Sequence, residues 1–479
     1  MPALGDSSVS APLFIVREVC LYERDVRLRM PFRFGVVTLT EAPQCFVRVR
    51  IELANGYSQW GAAAELLAPK WFDKNPTLSN ENNFEQLRLA LRLGAGAYLD
   101  GKARTAFGHF AAHYDEQIQA GASHGLNSLV ANYGPAQLDR AILDALFLSL
   151  GCSFYDGVRG NLPGIDPKRM AGHVGDLAEF DVSRFLSQLA PADSIAARHT
   201  VGLSDVIDGH PAHVGDGLPE SLAEVVMTYG HSYFKLKVGG NIDGDVARLI
   251  EIAAVLDRAT EPYFVSLDGN EQYDELSALL ELWQRMRGAA RLRRLVESIL
   301  FIEQPITRGH ALDDDVSVLS RIKPVIIDES DDDLGAFPRA RALGYAGVSS
   351  KCCKGLYKSI FNAARCAQWN AQPGARRFFM TGEDLTTQAG LAVQQDLALV
   401  NLLGLQHVER NGHHYVNGMA GLPATEQARF LTVHPDLYQH AHDAVRLRIH
   451  AGQLRLGSLG RPGFASGAYP DWETLKPMG

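Results

Sequence analysis

The stretch SYFKLKVGGNIDGDVARLIEIAAVLDRATEPYFVSLDGN, residues 232–270, decides the fold. It opens with a short run of apolar and aromatic residues and closes with a second run of the same kind. Between the two runs, apolar residues recur at steps of three and four from Val246 to Leu256, which is typical of one face of a helix. A strand, a helix and a strand in this order form a βαβ unit, so the stretch predicts part of a parallel sheet.

The same alternation continues on both sides of this stretch, from about residue 197. Eight short apolar runs separated by helical segments fit within a little over 200 residues, and no GxGxxG motif follows the first run. This pattern predicts an α/β fold in which residues 197–420 form a TIM-like (β/α)8-type barrel. The eight predicted strands are residues 199–207, 232–238, 263–270, 299–305, 323–330, 346–353, 376–384 and 404–411.

The first 150 residues have a different pattern, which predicts an α+β capping domain. Two long β-type runs are joined by a turn at Asn55-Gly56, and helical periods follow, including one over residues 135–151. Residues 151–196 are rich in Gly, Pro and Asp and predict a linker or excursion. We expect the C-terminal segment, residues 421–479, to return to the cap.

The composition indicates a globular protein with a small soluble ligand. The chain has 46 Lys and Arg against 55 Asp and Glu, a net charge of −9, which argues against nucleic acid or an anionic membrane as partner. We find no run of about 18 apolar residues and no basic N-terminal signal, so we expect a cytoplasmic protein. Six scattered cysteines without a CxxC pair predict neither a disulfide framework nor a thiolate zinc site.

Charged residues close five consecutive predicted strands. In a barrel of this kind the active site lies at the C-terminal ends of the strands, so these side chains are candidates for chemistry. They are Lys235 and Lys237 on the second strand, Asp268 with Asn270 on the third, Glu303 on the fourth, Asp328 with Glu329 on the fifth, and Lys351 with Lys354 beyond it on the sixth.

Three of these residues predict a metal site. Asp268, Glu303 and Asp328 would repel one another unless a cation lay between them, and oxygen ligands favour Mg²⁺, with Mn²⁺ as a substitute. Lys235 and Lys237 share a strand face, so we expect their ammonium groups to lower each other's pKa towards that of a useful base. Such a site could remove the proton next to a carboxylate while the metal stabilises the resulting enediolate.

The motifs FKLKVGG, VSLDGNE, FIEQPI, IIDESDD and SSKCCKG resemble those of the enolase superfamily, in particular its muconate-lactonising-enzyme-like subgroup. The resemblance implies a modified (β/α)7β barrel with a cap, Mg²⁺ as cofactor and, by family habit, a homo-oligomer. It implies that Asp268, Glu303 and Asp328 bind the metal. Lys237 and Lys351 would face each other across the substrate carbon, and Lys235 would tune Lys237 or contact the substrate carboxylate.

Segment 30–43, MPFRFGVVTLTEAP, resembles the mobile specificity loop of that family. We therefore expect Arg33 and Phe34 to contact substrate, whereas Trp71 is expected in the core of the cap. The segments 96–133 and 207–217 are longer than the family pattern needs, which leaves the substrate open. The other predicted substrate-binding residues are Asn270, Glu329, Lys354, Glu383, Asp384 and Glu409.

The preferred function is an isomerase, either a racemase, an epimerase or a cycloisomerase. A dehydratase of the same superfamily is the first alternative. A metal-free Schiff-base aldolase using Lys351 and a non-catalytic carboxylate-binding barrel are further alternatives.

Several histidines also raise the alternative of a second metal site. Loop histidines are more often surface or hydrogen-bonded residues, and we favour that interpretation here. The histidines concerned are His210, His213, His407, His413 and His414.

Overall fold

A long antiparallel hairpin begins the part of the chain that the computed structural model describes, residues 11–35, 37–209, 214–374 and 377–478. The first three strands are β1 (Phe14–Phe34), β2 (Val37–Leu53) and β3 (Ser58–Leu66), and β2 pairs with both neighbours. Gly56 takes a φ of +83° in the β2–β3 turn, which explains the glycine there.

Three helices complete the cap: α1 (Asn80–Tyr98), α2 (Ala106–Ser123) and α3 (Ser128–Leu150). The helix predicted over 135–151 begins earlier because the Asn127 side chain accepts a hydrogen bond from the Val130 amide and so caps it. The segment 96–133, which looked excessive in sequence, contains α2. Phe107 of this helix packs against Tyr357 and Phe361 of the barrel domain.

The predicted linker contains short helices rather than an extended chain. These are α4 (Phe154–Arg159), α5 (Ala171–Val174) and α6 (Val182–Ser187).

Eight parallel strands form a closed barrel, which confirms the predicted fold class. Each strand pairs with the next, and the last pairs with the first. The first strand was predicted at 199–207 but lies at 194–201, because the chain turns after it, where the Asp205 amide donates to the Gly202 carbonyl. The strands are β4 (Ser194–Val201), β5 (Tyr233–Lys237), β6 (Phe264–Asp268), β7 (Ile299–Glu303), β8 (Val325–Ile327), β9 (Gly347–Ser350), β10 (Phe379–Gly382) and β11 (His407–Glu409).

Helices surround the barrel. The predicted helical period after the second barrel strand is confirmed, since Leu249, Ile252, Ala253 and Leu256 are buried on one face. The helices are α7 (Leu222–Tyr229), α8 (Ile242–Leu256), α9 (Leu276–Gly288), α10 (Arg293–Ser298), α11 (Ser317–Ser320), α12 (Ala336–Ala342), α13 (Leu356–Asn370), α14 (Leu391–Leu402) and α15 (Gly412–Tyr415).

The C-terminal segment contacts both parts of the molecule. Its elements are α16 (Ala424–Val433), β12 (Tyr438–Ala441), β13 (Ala444–Leu447), β14 (Gln453–Arg455) and β15 (Lys476–Pro477). Strand β14 pairs antiparallel with β4 of the barrel, and β15 pairs with β1 of the cap.

None of the helices in the described ranges is long and apolar enough to cross a membrane. The six cysteines all lie within those ranges and are unpaired.

Candidate active site

Lys237 and Lys351 lie on opposite sides of the barrel. Lys237 ends β5 and Lys351 follows β9, and these strands are four places apart in a closed barrel of eight. Both lysines line one cavity at the C-terminal ends of the strands. The structure therefore places two ammonium groups across a common space.

The three predicted metal ligands lie on the strands between these lysines. Asp268 ends β6, Glu303 ends β7 and Asp328 follows β8. The strand register pairs Lys237 with Asp268, and Asp268 with Glu303. All three carboxylates are at most 1% exposed, so the barrel holds them out of bulk water.

Lys235 lies at the centre of this group of carboxylates. Its Nζ is 2.8 Å from the nearest oxygens of Asp268, Glu303 and Glu383, and 2.9 Å from Glu409 Oε2. Burial by itself lowers the pKa of Lys235, but the four carboxylates outweigh it and hold that pKa well above its usual value. The expectation that Lys235 and Lys237 lower each other's pKa beside a divalent cation stays a prediction.

Lys237 and Lys351, which line the cavity together with Lys235, are each held by a carboxylate. Lys237 Nζ is 2.5 Å from Asp268 Oδ2. Lys351 donates to Asp328, and its Nζ lies 4.3 Å from the centre of the Trp71 ring. Burial lowers the pKa of Lys351, but Asp328 more than offsets this and the pKa is raised.

The oxygen atoms around the cavity fit a hard divalent cation. Asn270 Oδ1 at the cavity and Glu329 Oε2 behind it are buried and make no hydrogen bond of ordinary geometry within the described residues, and Glu303 Oε2 is ion-paired with Lys235 Nζ at 2.8 Å. Burial, with Asp268 nearby, raises the pKa of Glu303 well above its usual value, which indicates an excess of negative charge there. Carboxylate and amide oxygens are the ligands that Mg²⁺ and Mn²⁺ prefer.

Gln304 fixes the position of Asp328, a role that the sequence did not reveal. Its Oε1 accepts hydrogen bonds from the backbone amides of Asp328 at 2.8 Å and Ser330 at 3.1 Å. Its backbone φ is +31°, a rare value for a residue with a side chain. The conformation turns the chain just after β7 and brings the amide side chain under the β8 end.

Glu383 and Glu409 lie deeper than the cavity wall. Glu383 pairs with Arg198 and Lys235, and Glu409 accepts a hydrogen bond from the Thr200 hydroxyl. Neither carboxylate lines the cavity. The structure thus places both beneath Lys235, whereas Arg198 and Thr200 were not predicted.

Two further candidates, Asp384 and Asn270, line the cavity itself. Asp384 accepts hydrogen bonds from the amides of Asn411 and Thr387. Asn270 donates its side-chain amide to Glu329 at 3.3 Å. Asp384 and Asn270 thus share a cavity with Lys237 and Lys351, and their role in binding substrate stays a prediction.

Lys354 and Glu329 are buried behind the wall. Lys354 Nζ lies 2.7 Å from Ser349 Oγ and 3.0 Å from Asp331 Oδ2, and Glu329 lies 3.6 Å from Lys74 Nζ. Neither residue lines the cavity.

Aromatic residues of the cap cover the cavity. Phe32 and Phe34 of β1 are 3% and 6% exposed, and Trp71, which follows β3, lies beside them. Arg33 falls between the two phenylalanines on the opposite strand face, is exposed and does not line the cavity. Trp71 is 2% exposed and lies in the hydrophobic core, as expected, and it also lines the cavity.

The covered space is small. It has room for about one water molecule.

Lys74 and Arg308 make ion pairs and hydrogen bonds between the cap and the barrel. Lys74 Nζ is 2.5 Å from Glu271 Oε2 and 2.7 Å from the Asn270 carbonyl. Arg308 donates to both oxygens of Glu271 and to the Trp71 carbonyl. No sequence signal revealed these contacts, which join segments about 200 residues apart in the chain.

The histidines considered for a second metal site have different surroundings in the structure. His407 Nδ1 is 2.8 Å from Arg198 Nη1 and its ring stacks on Tyr233, as expected for a hydrogen-bonded residue. His210 and His213 lie outside the described residues. His413 and His414 are buried near other histidines, away from the cavity.

A closed parallel barrel with an antiparallel cap is also the fold of solved enzymes of the enolase superfamily. The chain has this fold, as comparison with solved structures shows. Neither the protein-family models nor the curated proteins give a match to this chain.

Three similar structures illustrate the likeness. Muconate lactonizing enzyme from Pseudomonas fluorescens, solved with muconolactone, is 18% identical with a TM-score of 0.58 and covers 97% of this chain and 98% of its own. Dipeptide epimerase from Enterococcus faecalis V583, solved with Mg and a dipeptide, is 13% identical with a TM-score of 0.58 and covers 94% and 99%. 2-Chloromuconate cycloisomerase from Rhodococcus opacus 1CP is 16% identical with a TM-score of 0.58 and covers 96% and 98%.

Proposed function

We propose that the protein is a Mg²⁺-dependent isomerase of the enolase superfamily, a racemase, epimerase or cycloisomerase, that removes the proton next to a substrate carboxylate. The observation that carries the proposal is the placement of Lys237 and Lys351 across one cavity, with three carboxylates on the strands between them. Solved structures of the same fold include cycloisomerases and an epimerase crystallised with Mg, which supports the same class of reaction.

The two lysines act on opposite faces of the substrate carbon. One takes the proton and the other delivers a proton to the other face, or holds positive charge beside the reacting carboxylate. Asp268, Glu303 and Asp328 would hold Mg²⁺, which would supply positive charge to stabilise the charge developing on the substrate carboxylate. Asp268 and Asp328 also hold the two ammonium groups, so metal binding and the state of the lysines are coupled.

The cap supplies shape and excludes water. Phe32, Phe34 and Trp71 present apolar surface to the space between the lysines, so the preferred substrate has an apolar part next to its carboxylate. Asp384 and Asn270 offer polar contacts at the opposite wall.

A screen of carboxylic acids for α-proton exchange in D₂O, followed by ¹H NMR with Mg²⁺ and with excess chelator, tests the proposal. We expect exchange of at least one class of acids that depends on added Mg²⁺. Release of water in step with exchange would identify a dehydratase instead. Full turnover in chelator after verified metal removal would contradict the metal-dependent reaction.

A further inference from the structure

Three buried histidines form a cluster outside the barrel interior. His199 lies in β4, His231 precedes β5 and His413 lies in α15. A ring nitrogen of each lies within 4.8 Å of a ring nitrogen of both others. The three residues are 1%, 6% and 7% exposed.

The cluster is separate from the candidate active site. Successive strand residues point to opposite faces. Arg198 and Thr200 reach into the barrel to Glu383 and Glu409. His199, between them in β4, therefore points outward, towards the layer that contains α15.

The ring nitrogens are poorly satisfied. Within the described residues, His199 Nδ1, His231 Nε2 and both ring nitrogens of His413 make no hydrogen bond of ordinary geometry, although the Arg410 carbonyl is a backbone partner of the His413 ring. His231 Nδ1 lies 2.9 Å from the Ala197 carbonyl. A proton on that nitrogen leaves the Nε2 lone pair free, which is the usual arrangement of a histidine that binds a metal.

Burial, more than the surrounding charges, keeps the rings neutral. Burial lowers the pKa of His231 to about 4 and holds those of His199 and His413 well below their usual value. Arg446 faces the cluster and donates to the His413 carbonyl. Arg29, which is paired with Asp216, donates to the carbonyl of the neighbouring His414. Neutral imidazole is the form that binds metal.

We infer that His199, His231 and His413 form a binding site for Zn²⁺. Imidazole nitrogens without a hard oxygen ligand suit Zn²⁺ rather than Mg²⁺. Zn–N bonds of about 2.0–2.1 Å place tetrahedral ligands roughly 3.3 Å apart, so the rings need to move inward by about 1 Å or less. The inference is independent of the proposed function.

Such a site would hold the barrel closed. The closing pair, β11 and β4, is joined through three residue pairs, from His407–Ala196 to Glu409–Arg198. His413 follows β11 closely and His199 lies in β4, so an ion between them would tie the two edges together. Bound Zn²⁺ would therefore stabilise the fold rather than take part in turnover.

Zinc-edge anomalous diffraction tests the inference on the intact protein. Crystals of the metal-depleted full chain are soaked in Zn²⁺ with excess Mg²⁺, which competes for the carboxylate site. We expect an anomalous peak between the three rings, and in solution one Zn²⁺ per chain in the presence of Mg²⁺ with a raised Tm. The absence of a peak at the rings would overturn the inference, whatever binds at the carboxylates.

A matched pair of variants tests it a second way. His109 is also fully buried, with Nε2 3.2 Å from the Phe14 carbonyl and Nδ1 without a hydrogen bond, but it lies in the cap. We expect His231→Gln to weaken Zn²⁺ binding by at least about 100-fold, and His109→Gln to leave it unchanged. Equal Zn²⁺ affinity in wild type and folded His231→Gln would overturn the inference. Should His231→Gln fail to fold, the diffraction result on the wild type decides.

Discussion

The reaction stereochemistry depends on Lys237 and Lys351. If each serves one face of the substrate carbon, Lys351→Ala abolishes net inversion while Lys237 still exchanges the α-proton of one stereoisomer. Lys237→Ala gives the reverse preference. In each variant we expect the rate of proton exchange at the face that has lost its lysine to fall by about 10²–10⁴-fold, the usual contribution of a positioned acid or base. The measurement is α-deuterium incorporation by NMR, for each stereoisomer with each variant.

Lys323→Met is the control for this pair. Lys323 donates to the carbonyl of Ile299, at the start of β7 and thus at the opposite end of the barrel, so its loss should leave the exchange pattern unchanged. Loss of all exchange with both stereoisomers in both alanine variants, with metal binding intact, would contradict the two-face arrangement.

Glu303 tests the metal site at the same scale. Glu303→Gln keeps the size of the side chain but removes the negative charge and one strong ligand. We expect Mg²⁺ affinity to fall by more than the roughly 10–100-fold typical of an outer-shell change, and turnover to be lost. The barrel should remain folded, because burial and the neighbouring carboxylates disfavour a negative charge at Glu303, and glutamine carries none.

Isothermal titration with Mg²⁺ and thermal unfolding check this prediction side by side. Glu281→Gln, at an exposed position of α9, is the control. Unchanged Mg²⁺ affinity in Glu303→Gln would show that Glu303 does not bind the metal.

At the scale of the element, the β1–β2 hairpin tests substrate selection. Phe34 lines the cavity, whereas its neighbour Arg33 is exposed on the other strand face. We expect Phe34→Ala to change the ratio of kcat/KM between two carboxylic acid substrates by about 10–200-fold. A small change of apolar contact in a binding pocket changes substrate discrimination by about this factor. Arg33→Ala should leave this ratio and the Mg²⁺ affinity unchanged. Equal effects of both variants would contradict the assigned strand faces.

The strand ends were predictable because their signal is local. Each barrel strand is a short apolar run closed by a charged residue, so Lys237, Asp268, Glu303 and Lys351 could be located from sequence alone. The first strand was placed too late in the chain, and this misplacement hid Arg198, which lies inside the real strand.

Contacts between distant segments could not be predicted in this way. Lys74 contacts Glu271 and Asn270 only because the cap folds over the barrel. No sequence pattern around Lys74 or around residues 270–271 indicates that these two segments lie together. The same holds for Trp71, whose burial was predicted but whose position beside Lys351 was not.

At the scale of the whole molecule, the C-terminal segment joins cap and barrel. It adds β14 to the barrel strand β4 and β15 to the cap strand β1. Arg24 of β1 also makes a two-point ion pair with Glu426 of α16, both distances being 2.8 Å. These links lead us to expect that the two parts unfold together in one transition.

Two buried histidines allow joint unfolding of cap and barrel to be tested through the pH dependence of the unfolding free energy. His109 lies in the cap and His434 follows α16, and both are fully buried. Burial lowers the pKa of each to about 4, against about 6.5 in an unfolded chain. Below pH 6.5 the unfolded chain therefore binds protons that the folded protein does not. Their contribution to stability is complete above pH 6.5 and is lost as the pH falls from there towards 4.

His109→Gln and His434→Gln test this linkage by urea unfolding at pH 7.5 and 5.5. Each histidine costs about 1.4 kcal/mol between these two pH values, so each variant should lose that much less stability on acidification than wild type. The hydrogen bonds that glutamine fails to replace cost the same at both pH values and cancel. If the two parts unfold together, both variants shift the same single unfolding transition. The control His440→Gln, at an exposed position, should leave the pH dependence of the unfolding free energy as in wild type. A pH dependence identical to that of wild type in both variants would contradict the linkage, and separate transitions for the two variants would contradict joint unfolding.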